Sequence, residues 1–387
     1  MPRNSAGPEG SRGTPLLSCS FLAEISAGLR PYCSWEERGP LQGAREAIID
    51  TRTDIIRQDA RLSVFEGPDA VRDFLNPDHH LPLPLVELPE PLNPFVADGV
   101  RVFGKLMYLL PLLNVKSLPA INMLLEARDS GRLDGVHDLV ENSSGNTAFA
   151  LGVVAGLYGI RRVVAIVPWD IAPGKLDLLR LCGVEPRLVR DGQGAPSGIA
   201  QARANGEAPG CFNPGQYDNG ANPASYEKWV LPQIREQLGK RLTVFATGVG
   251  SGGTLVGARR YFRQHGEKVC LVGAIVAPGN AVPGVRSEAT LREVSHPWRE
   301  SADAIIEVGT RESFKKSLHL CRSGILGGPS SGFALAGLLR FLESRRADGT
   351  LDDLRNDAGE VVATFVCADT PLPYLDKYST HLDPADF

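Results

Sequence analysis

The sequence predicts an α/β fold made of two three-layer domains with mostly parallel sheets. From about Leu81 onward, short apolar runs alternate with stretches of helical periodicity. Strands that alternate with helices in this way pair in parallel through right-handed crossovers. The chain has 387 residues, which is enough for two domains with their own cores. Because such folds bind ligands where strands lead into helices, we expect an active site in the cleft between the domains.

Composition narrows the class of protein. Hydrophobic residues make up 43% and charged residues 22% of the chain, and the net charge is −4. These values are typical of globular proteins and predict no nucleic-acid or membrane partner. The cysteines are scattered without a CxxC pair, and no signal core or membrane-length apolar run is found. We therefore expect a cytoplasmic protein, and the adjacent His79 and His80 lack the spacing of a metal site.

The spacing of apolar residues and the positions of turn-forming residues predict the individual strands and helices. Strands are expected at 81–88, 100–106, 136–141, 163–167, 186–189, 242–246, 269–275, 304–308 and 361–367. Helices are expected at 44–56, 70–75, 120–130 (with Ser117 as a possible cap), 147–158, 174–181, 223–238, from 254 onward, 312–321 and 332–343.

The same pattern predicts three parts of the chain. Residues 1–80 form an extension with a disordered start and a partly helical remainder. Residues 105–222 form a smaller α/β domain, and 81–104 with 223–387 form a larger one. The break between them is placed in the loop 210–223, which is dense in glycine, proline and asparagine.

The stretch 246–257, ATGVGSGGTLVG, predicts an anion site. An apolar strand leads through four glycines into a helix, whose first N–H groups and dipole favour negative charge. A nucleotide P-loop is excluded because no lysine follows the glycines. A dinucleotide fingerprint is disfavoured because Glu267 comes too early to bind a ribose.

Three further stretches stand at predicted strand-to-helix junctions: NVK at 114–116, SSGNT at 143–147 and GPSSG at 328–332. The neighbours of Lys116 are apolar, and desolvation lowers the pKa of an amine and makes it a nucleophile or base. A lysine beside a phosphate cup indicates pyridoxal phosphate held as a Schiff base.

These motifs resemble the cysteine synthase and cystathionine β-synthase family of fold-type II pyridoxal phosphate enzymes. ENSSGNTAFALG resembles the family's E-x-T-S-G-N-T-G, and GVGSGGTLVG its G-x-G-T-G-G-T-x-x-G. GILGGPSSG resembles G-I-L-x-G-x-S-S-G, and QYDNGANPASY resembles Q-F-x-N-P-A-N-P. The four motifs occur in the family's order, and the resemblance covers about 81–378, so it implies the tryptophan synthase β-like fold.

The resemblance implies a role for each matching residue. Lys116 would carry the cofactor and take the substrate's Cα proton, and Asn146 would bind the cofactor's ring oxygen. Ser330 would face the ring nitrogen, where a neutral hydroxyl cannot keep the nitrogen protonated as an aspartate would. The phosphate would be held by Gly250, Ser251, Gly252, Gly253 and Thr254. The substrate carboxylate would be held by Ser143, Ser144, Thr147 and Gln216.

Three features depart from the family pattern. Around the lysine the family has N-P-T-G-S-V-K-D-R, whereas this chain has LPLLNVKSL, so Leu113 and Asn114 stand for Gly-Ser and the Asp-Arg pair is gone. The family's D-S-G-E-R-Y-L becomes DTPLPYL at 369–375. The extension before Leu81 is also longer than usual. These departures flank the site and leave the substrate open.

The resemblance implies β-replacement on serine or an O-activated serine. An aminoacrylate intermediate would be discharged by a small nucleophile, giving cysteine or a non-proteinogenic amino acid. β-Elimination of the cysteine desulfhydrase or serine/threonine dehydratase type is an alternative, and a non-catalytic cofactor-binding scaffold is an alternative of another class. Family members are commonly dimers, so the resemblance also implies a homodimer.

Overall fold

The computed structural model describes residues 63–171, 173–190 and 196–387. The predicted helix at 44–56 and the predicted disorder at the start of the chain lie outside these ranges. The strands are β1 Leu85–Glu87, β2 Val100–Leu106, β3 Asp138–Asn142, β4 Arg162–Pro168, β5 Val184–Val189, β6 Cys211–Phe212, β7 Val244–Gly248, β8 Cys270–Val276, β9 Ala304–Val308 and β10 Val361–Cys367. The helices are α1 Ala70–Leu75, α2 Ser117–Asp129, α3 Asn146–Ala155, α4 Pro173–Leu181, α5 Gly198–Gly206, α6 Ala221–Trp229, α7 Leu231–Leu238, α8 Gly253–Gln264, α9 Thr310–Arg322, α10 Pro329–Ala347 and α11 Leu375–His381.

The strands form two sheets. The larger has the order β1-β2-β10-β7-β8-β9 and the smaller the order β5-β4-β3-β6. Only the β1–β2 pair, among the strands of the described ranges, is antiparallel. The predicted α/β class with mostly parallel sheets is therefore confirmed. The assignment of sequence ranges to two domains stays a prediction.

Apolar runs explain which strands lie at the centre. Every residue of β10 is buried, and β7 and β8 are buried along nearly their whole length. Parallel strands covered by helices on both faces have this continuous apolar character. Helix α10 is buried through most of its length and packs against α9 and the strands β7 to β10. Its first turn is thereby fixed at the carboxyl edge of the larger sheet.

Three predictions differ from the structure for reasons that the residues themselves explain. The strand expected at 81–88 is only Leu85–Glu87, because Pro82 and Pro84 cannot donate ladder hydrogen bonds. The helix expected at 223–238 is two helices that meet at Val230, because Pro232 removes a donor in the first turn of α7. Ser117 is the first residue of α2 and does not cap it, because its hydroxyl donates back to Asn114 O at 2.8 Å.

The sequence analysis also missed elements. Helices α5 and α11 were not predicted, and β6 lies inside the loop at 210–223 that was expected to separate two domains. Within the described ranges, none of the helices is long and apolar enough to cross a lipid bilayer.

Candidate active site

A cavity of about 310 Å³ opens where loops that follow strands of both sheets meet. It brings together most of the residues that the sequence proposed for the site. The cavity is lined, among others, by Lys116, Ser143, Ser144, Asn146, Thr147, Gln216, Gly250 and Ser251. The remaining proposed residues, Gly252, Gly253, Thr254 and Ser330, are buried and do not line it.

The lysine loop, residues 110–116, presents Lys116 to the cavity. Lys116 occupies the cap position of α2 and is partly buried, and its Nζ donates to the hydroxyl of Tyr226 at 3.4 Å. Buried Asn114 orders the loop, because its Oδ1 accepts from Lys116 N at 3.0 Å and its Nδ2 donates to Leu112 O at 2.5 Å. Val115 N donates to Ala368 O at 2.8 Å, so the loop is also tied to the segment after β10.

Leu113 adopts an unusual backbone conformation in this loop. Its φ is +54°, in the left-handed region that favours glycine. A leucine in that region costs about 1–2 kcal/mol. The family pattern has a glycine at this position. This chain has a leucine instead, although the backbone conformation there is still one that favours glycine. The Leu113 side chain is 52% exposed and buries little apolar surface in return.

The glycine loop, residues 248–254, joins β7 to α8. Gly252 lies at the helix cap with φ +82°, and no side chain in the described ranges caps α8. A methyl group at Gly250 would collide with Gly284 O, and one at Gly253 would collide with the Asn222 amide. The first N–H groups of α8 have no intrahelical acceptor and are available to a ligand. This bare backbone cradle fits the phosphate group of pyridoxal phosphate.

The serine loop, residues 143–147, is built differently, because a side chain accepts hydrogen bonds from its backbone N–H groups. The Ser143 hydroxyl accepts from the N–H groups of Gly145 and Ala148, each at 3.3 Å. Thr147 Oγ1 donates to Gln216 Oε1 at 2.9 Å, and Gln216 Nε2 donates to Asn142 O at 3.0 Å. Hydroxyls and an amide are thus held beside the start of α3, an arrangement suited to a carboxylate.

Glu141 supports the serine loop from beneath. It is buried at the end of β3, and its carboxylate accepts from the N–H groups of Asn142, Gly215 and Gln216 at 2.9–3.3 Å. Burial outweighs these hydrogen bonds and raises the pKa of Glu141 to about 7. The position of Gln216 therefore depends on a carboxylate that titrates near neutral pH.

The electrostatic character of the cavity is cationic. Of the lining residues that the structure describes, Lys116, Lys175 and Arg286 are charged and none is acidic. Burial lowers the pKa of Lys175. Arg286 Nη2 donates to the Tyr217 hydroxyl at 2.8 Å, and its guanidinium lies over the Tyr217 ring. A site of this charge favours a ligand that carries phosphate and carboxylate groups.

Sequence reasoning missed several residues of this cavity. Tyr217 follows Gln216 in a motif that was recognised, and Tyr374 lies in the altered stretch 369–375. The neighbouring motif residues could therefore have pointed to both tyrosines. Lys175 lies in a predicted helix and Arg286 in a stretch for which no element was predicted, and only the tertiary structure brings them to the cavity.

Comparison with known proteins identifies the family. The model of the family described as "Pyridoxal-phosphate dependent enzyme" matches residues 77–352. Cysteine synthase B of Escherichia coli K12 is 31% identical over 250 residues, 64% of this chain and 82% of that protein. Cysteine synthase B of Salmonella typhimurium is 30% identical over 285 residues, 73% of this chain and 89% of that protein.

Solved structures agree on the fold. The crystal structure of O-ureido-L-serine synthase has a TM-score of 0.66 and 24% identity, and the likeness covers 78% of this chain and 93% of that one. The chain thus belongs to the pyridoxal-phosphate-dependent enzyme family. The predicted family, cofactor and enzymatic character are confirmed.

Proposed function

We propose that this protein exchanges the β-substituent of an O-activated serine for a small nucleophile, as a cysteine synthase does. The observation that carries the proposal is that Lys116, the glycine loop and the serine loop reach one cationic cavity. A lysine, a phosphate cradle and a carboxylate cradle are the parts that this reaction needs. Relatives named cysteine synthase B and a structural neighbour named O-ureido-L-serine synthase support the choice of substrate class.

The proposed roles follow the positions of the side chains. Pyridoxal phosphate, when bound, supplies an electron sink for the pair released at the substrate Cα. Lys116 would anchor the cofactor and move the Cα proton, with the Tyr226 hydroxyl as the nearest partner of its Nζ. The glycine loop, with Gly252, Gly253 and Thr254, would hold the phosphate.

Two further sets of residues complete the proposal. Asn146 would bind the cofactor's ring oxygen, and Ser330 would face the ring nitrogen. The substrate carboxylate would be held by Ser143, Ser144, Thr147 and Gln216, of which Thr147 and Gln216 are already linked to each other at 2.9 Å. That link orients the Gln216 amide before the substrate arrives.

The test is a visible absorption spectrum of the purified, cofactor-loaded protein together with product analysis. Wild type should show the band of lysine-bound cofactor, and Lys116→Ala should lose it. Lys240→Ala, which alters an exposed lysine, is the matched control and should keep it. A wild-type protein without the band would contradict the role of Lys116.

Product analysis separates replacement from elimination. With O-acetyl-L-serine and sulfide we expect cysteine as the main product. Pyruvate formed at the same rate with and without sulfide would instead identify elimination, because the nucleophile would then play no part.

We also propose a cytoplasmic homodimer. The homodimer is supported by the family resemblance, and the cytoplasm by the free state of the cysteines in the described ranges, Cys182, Cys211, Cys270, Cys321 and Cys367. Light scattering should give twice the mass of the chain, and the mass of one chain would contradict the dimer.

A further inference from the structure

The segment 70–80 packs against the two helices that carry Lys116 and its partner Tyr226. It consists of α1 and the turn that follows, and we call it the brace. It lies in the extension before Leu81, to which the family resemblance assigns no role. Its contacts show what this part of the extension does for the active site.

The first contact of the brace is apolar. Leu75 is 6% exposed and belongs to the same core cluster as Leu118 and Ile121 of α2. Buried Pro77 lines, with those residues and with the lysine loop, a gap of about 10 Å³, which holds at most one water. Because Lys116 immediately precedes α2, this packing supports the backbone that carries the lysine.

The second contact of the brace is polar and reaches the end of α6. Nε1 of Trp229, a residue that is 5% exposed, donates to Asp78 Oδ1 at 2.8 Å. A buried indole N–H needs an acceptor, and among the residues that the structure describes Asp78 supplies it. Asp78 Oδ2 also lies 3.6 Å from Lys228 Nζ, but both side chains are half exposed, so this ion pair adds little. The hydrogen bond from Trp229 is therefore the contact that holds α6.

Helix α6 connects this hydrogen bond to the active site. Tyr226 lies one turn before Trp229 and is fully buried, and its hydroxyl accepts from Lys116 Nζ at 3.4 Å. At the start of α6, Ala221 O accepts from Asn122 Nδ2 of α2 at 2.8 Å. The brace thus holds together two helices, of which α2 follows the lysine and α6 supplies the hydroxyl beside it.

We propose that Asp78 is a positioning residue which, through Trp229 and Tyr226, holds Lys116 Nζ where it moves the Cα proton of a bound amino acid. This inference rests on the proposed function, which gives Lys116 that task. Asp78 lies on the surface of the brace and acts only through the geometry of α6. A displacement of about 1 Å at a reacting group can lower a rate about 100-fold, so loss of this one contact should lower it about tenfold.

The test is exchange of the Cα proton of L-alanine with D₂O on the cofactor-loaded protein, followed by proton NMR at saturating alanine. Alanine has no β-leaving group, so its exchange needs Lys116 but neither replacement nor elimination. In Asp78→Ala the exchange rate should fall about tenfold while the visible band of lysine-bound cofactor is retained. Asp78→Asn keeps an oxygen that accepts from Trp229 and should exchange at close to the wild-type rate. Asp69→Ala, which alters an acidic residue paired with exposed Arg72, is the matched control and should exchange as wild type does.

Two results would overturn the proposal: wild-type exchange in Asp78→Ala, or a loss that Asp78→Asn fails to restore. If Asp78→Ala does not fold, Trp229→Phe removes the same hydrogen bond from the side of α6 and should lower the exchange rate to the same extent. Unchanged exchange in that variant counts against the proposal.

The same assay separates this inference from the proposed function. A wild-type holoenzyme that exchanges the alanine proton but forms no cysteine contradicts β-replacement alone, and the expected fall in Asp78→Ala would still support the positioning role. A wild-type holoenzyme that does not exchange the proton contradicts the role of Lys116 as a base and, with it, the role of Asp78.

Discussion

The lysine loop and the glycine loop both use a left-handed backbone position, but they reach it with different residues. Gly252 has φ +82° in the glycine loop, and Leu113 has φ +54° in the lysine loop. The glycine loop keeps the family's residue types, whereas the lysine loop has lost its Gly-Ser pair. The contacts explain this difference. In the glycine loop a methyl group at Gly250 or Gly253 would collide with protein atoms packed against the loop, whereas the Leu113 side chain is 52% exposed and meets no such limit.

The strongest test of this comparison is to add one methyl group to the glycine loop. The backbone φ of Gly250 is not positive, so Gly250→Ala acts through its collision with Gly284 O and not through backbone strain. We expect cofactor affinity to fall about 1,000-fold, equivalent to about 4 kcal/mol. Fluorescence titration of cofactor-free protein with pyridoxal phosphate measures it.

Gly156→Ala is the control for that variant, because a methyl group there meets no atom within 4 Å. Its cofactor affinity should equal that of wild type. Equal affinity in Gly250→Ala would show that the glycine loop does not depend on bare backbone.

The serine loop differs from the other two loops, because an ionisable side chain, Glu141, supports it. Glu141 has a pKa of about 7 when folded, against an ordinary value of 4.5. As pH rises from about 4.5 to about 7, the unfolded chain loses this proton before the folded protein does. The contribution of Glu141 to the free energy of unfolding should therefore fall by about 3 kcal/mol across that window.

Urea unfolding at pH 5 and pH 8, with wild type and Glu141→Gln compared at saturating cofactor, tests this expectation. The difference in unfolding free energy between the two proteins should change with pH, because glutamine does not titrate. A difference that stays constant between the two pH values would contradict the raised pKa.

The smallest expected effect is a gain of stability in the lysine loop. Leu113→Gly relieves the left-handed strain and should raise the free energy of unfolding by about 1 kcal/mol, after the greater flexibility of glycine in the unfolded chain is counted. Leu109→Gly alters a second exposed leucine four residues earlier, whose φ is not positive, and should lower stability instead. Thermal or urea unfolding of both variants measures the contrast. Destabilisation of equal size in both would remove the argument for strain at Leu113.

The fold was largely predictable because local patterns determine it. Strands β2, β9 and β10 have the predicted bounds, since each is a mainly apolar, β-branched-rich stretch between turn residues. The proposed site residues were found through motifs, and the structure brings most of them to one cavity. The contact of Asp78 with Trp229 could not be predicted, because the two residues are 151 positions apart and meet only in the folded chain. The φ of Leu113 could not be predicted either, because leucine ordinarily avoids that conformation.

Leu113 has a consequence for how related sequences should be compared. Read letter by letter, the change from glycine to leucine looks like the loss of a motif three residues before Lys116. The dihedral angle shows that the path of the main chain is compatible with the glycine of the pattern, while Asn114 provides a new anchor for it. The residue type at a position can thus change while the backbone conformation stays the same. A search for distant relatives should therefore compare the backbone conformation before the lysine, a positive φ, and not only the residue type found there.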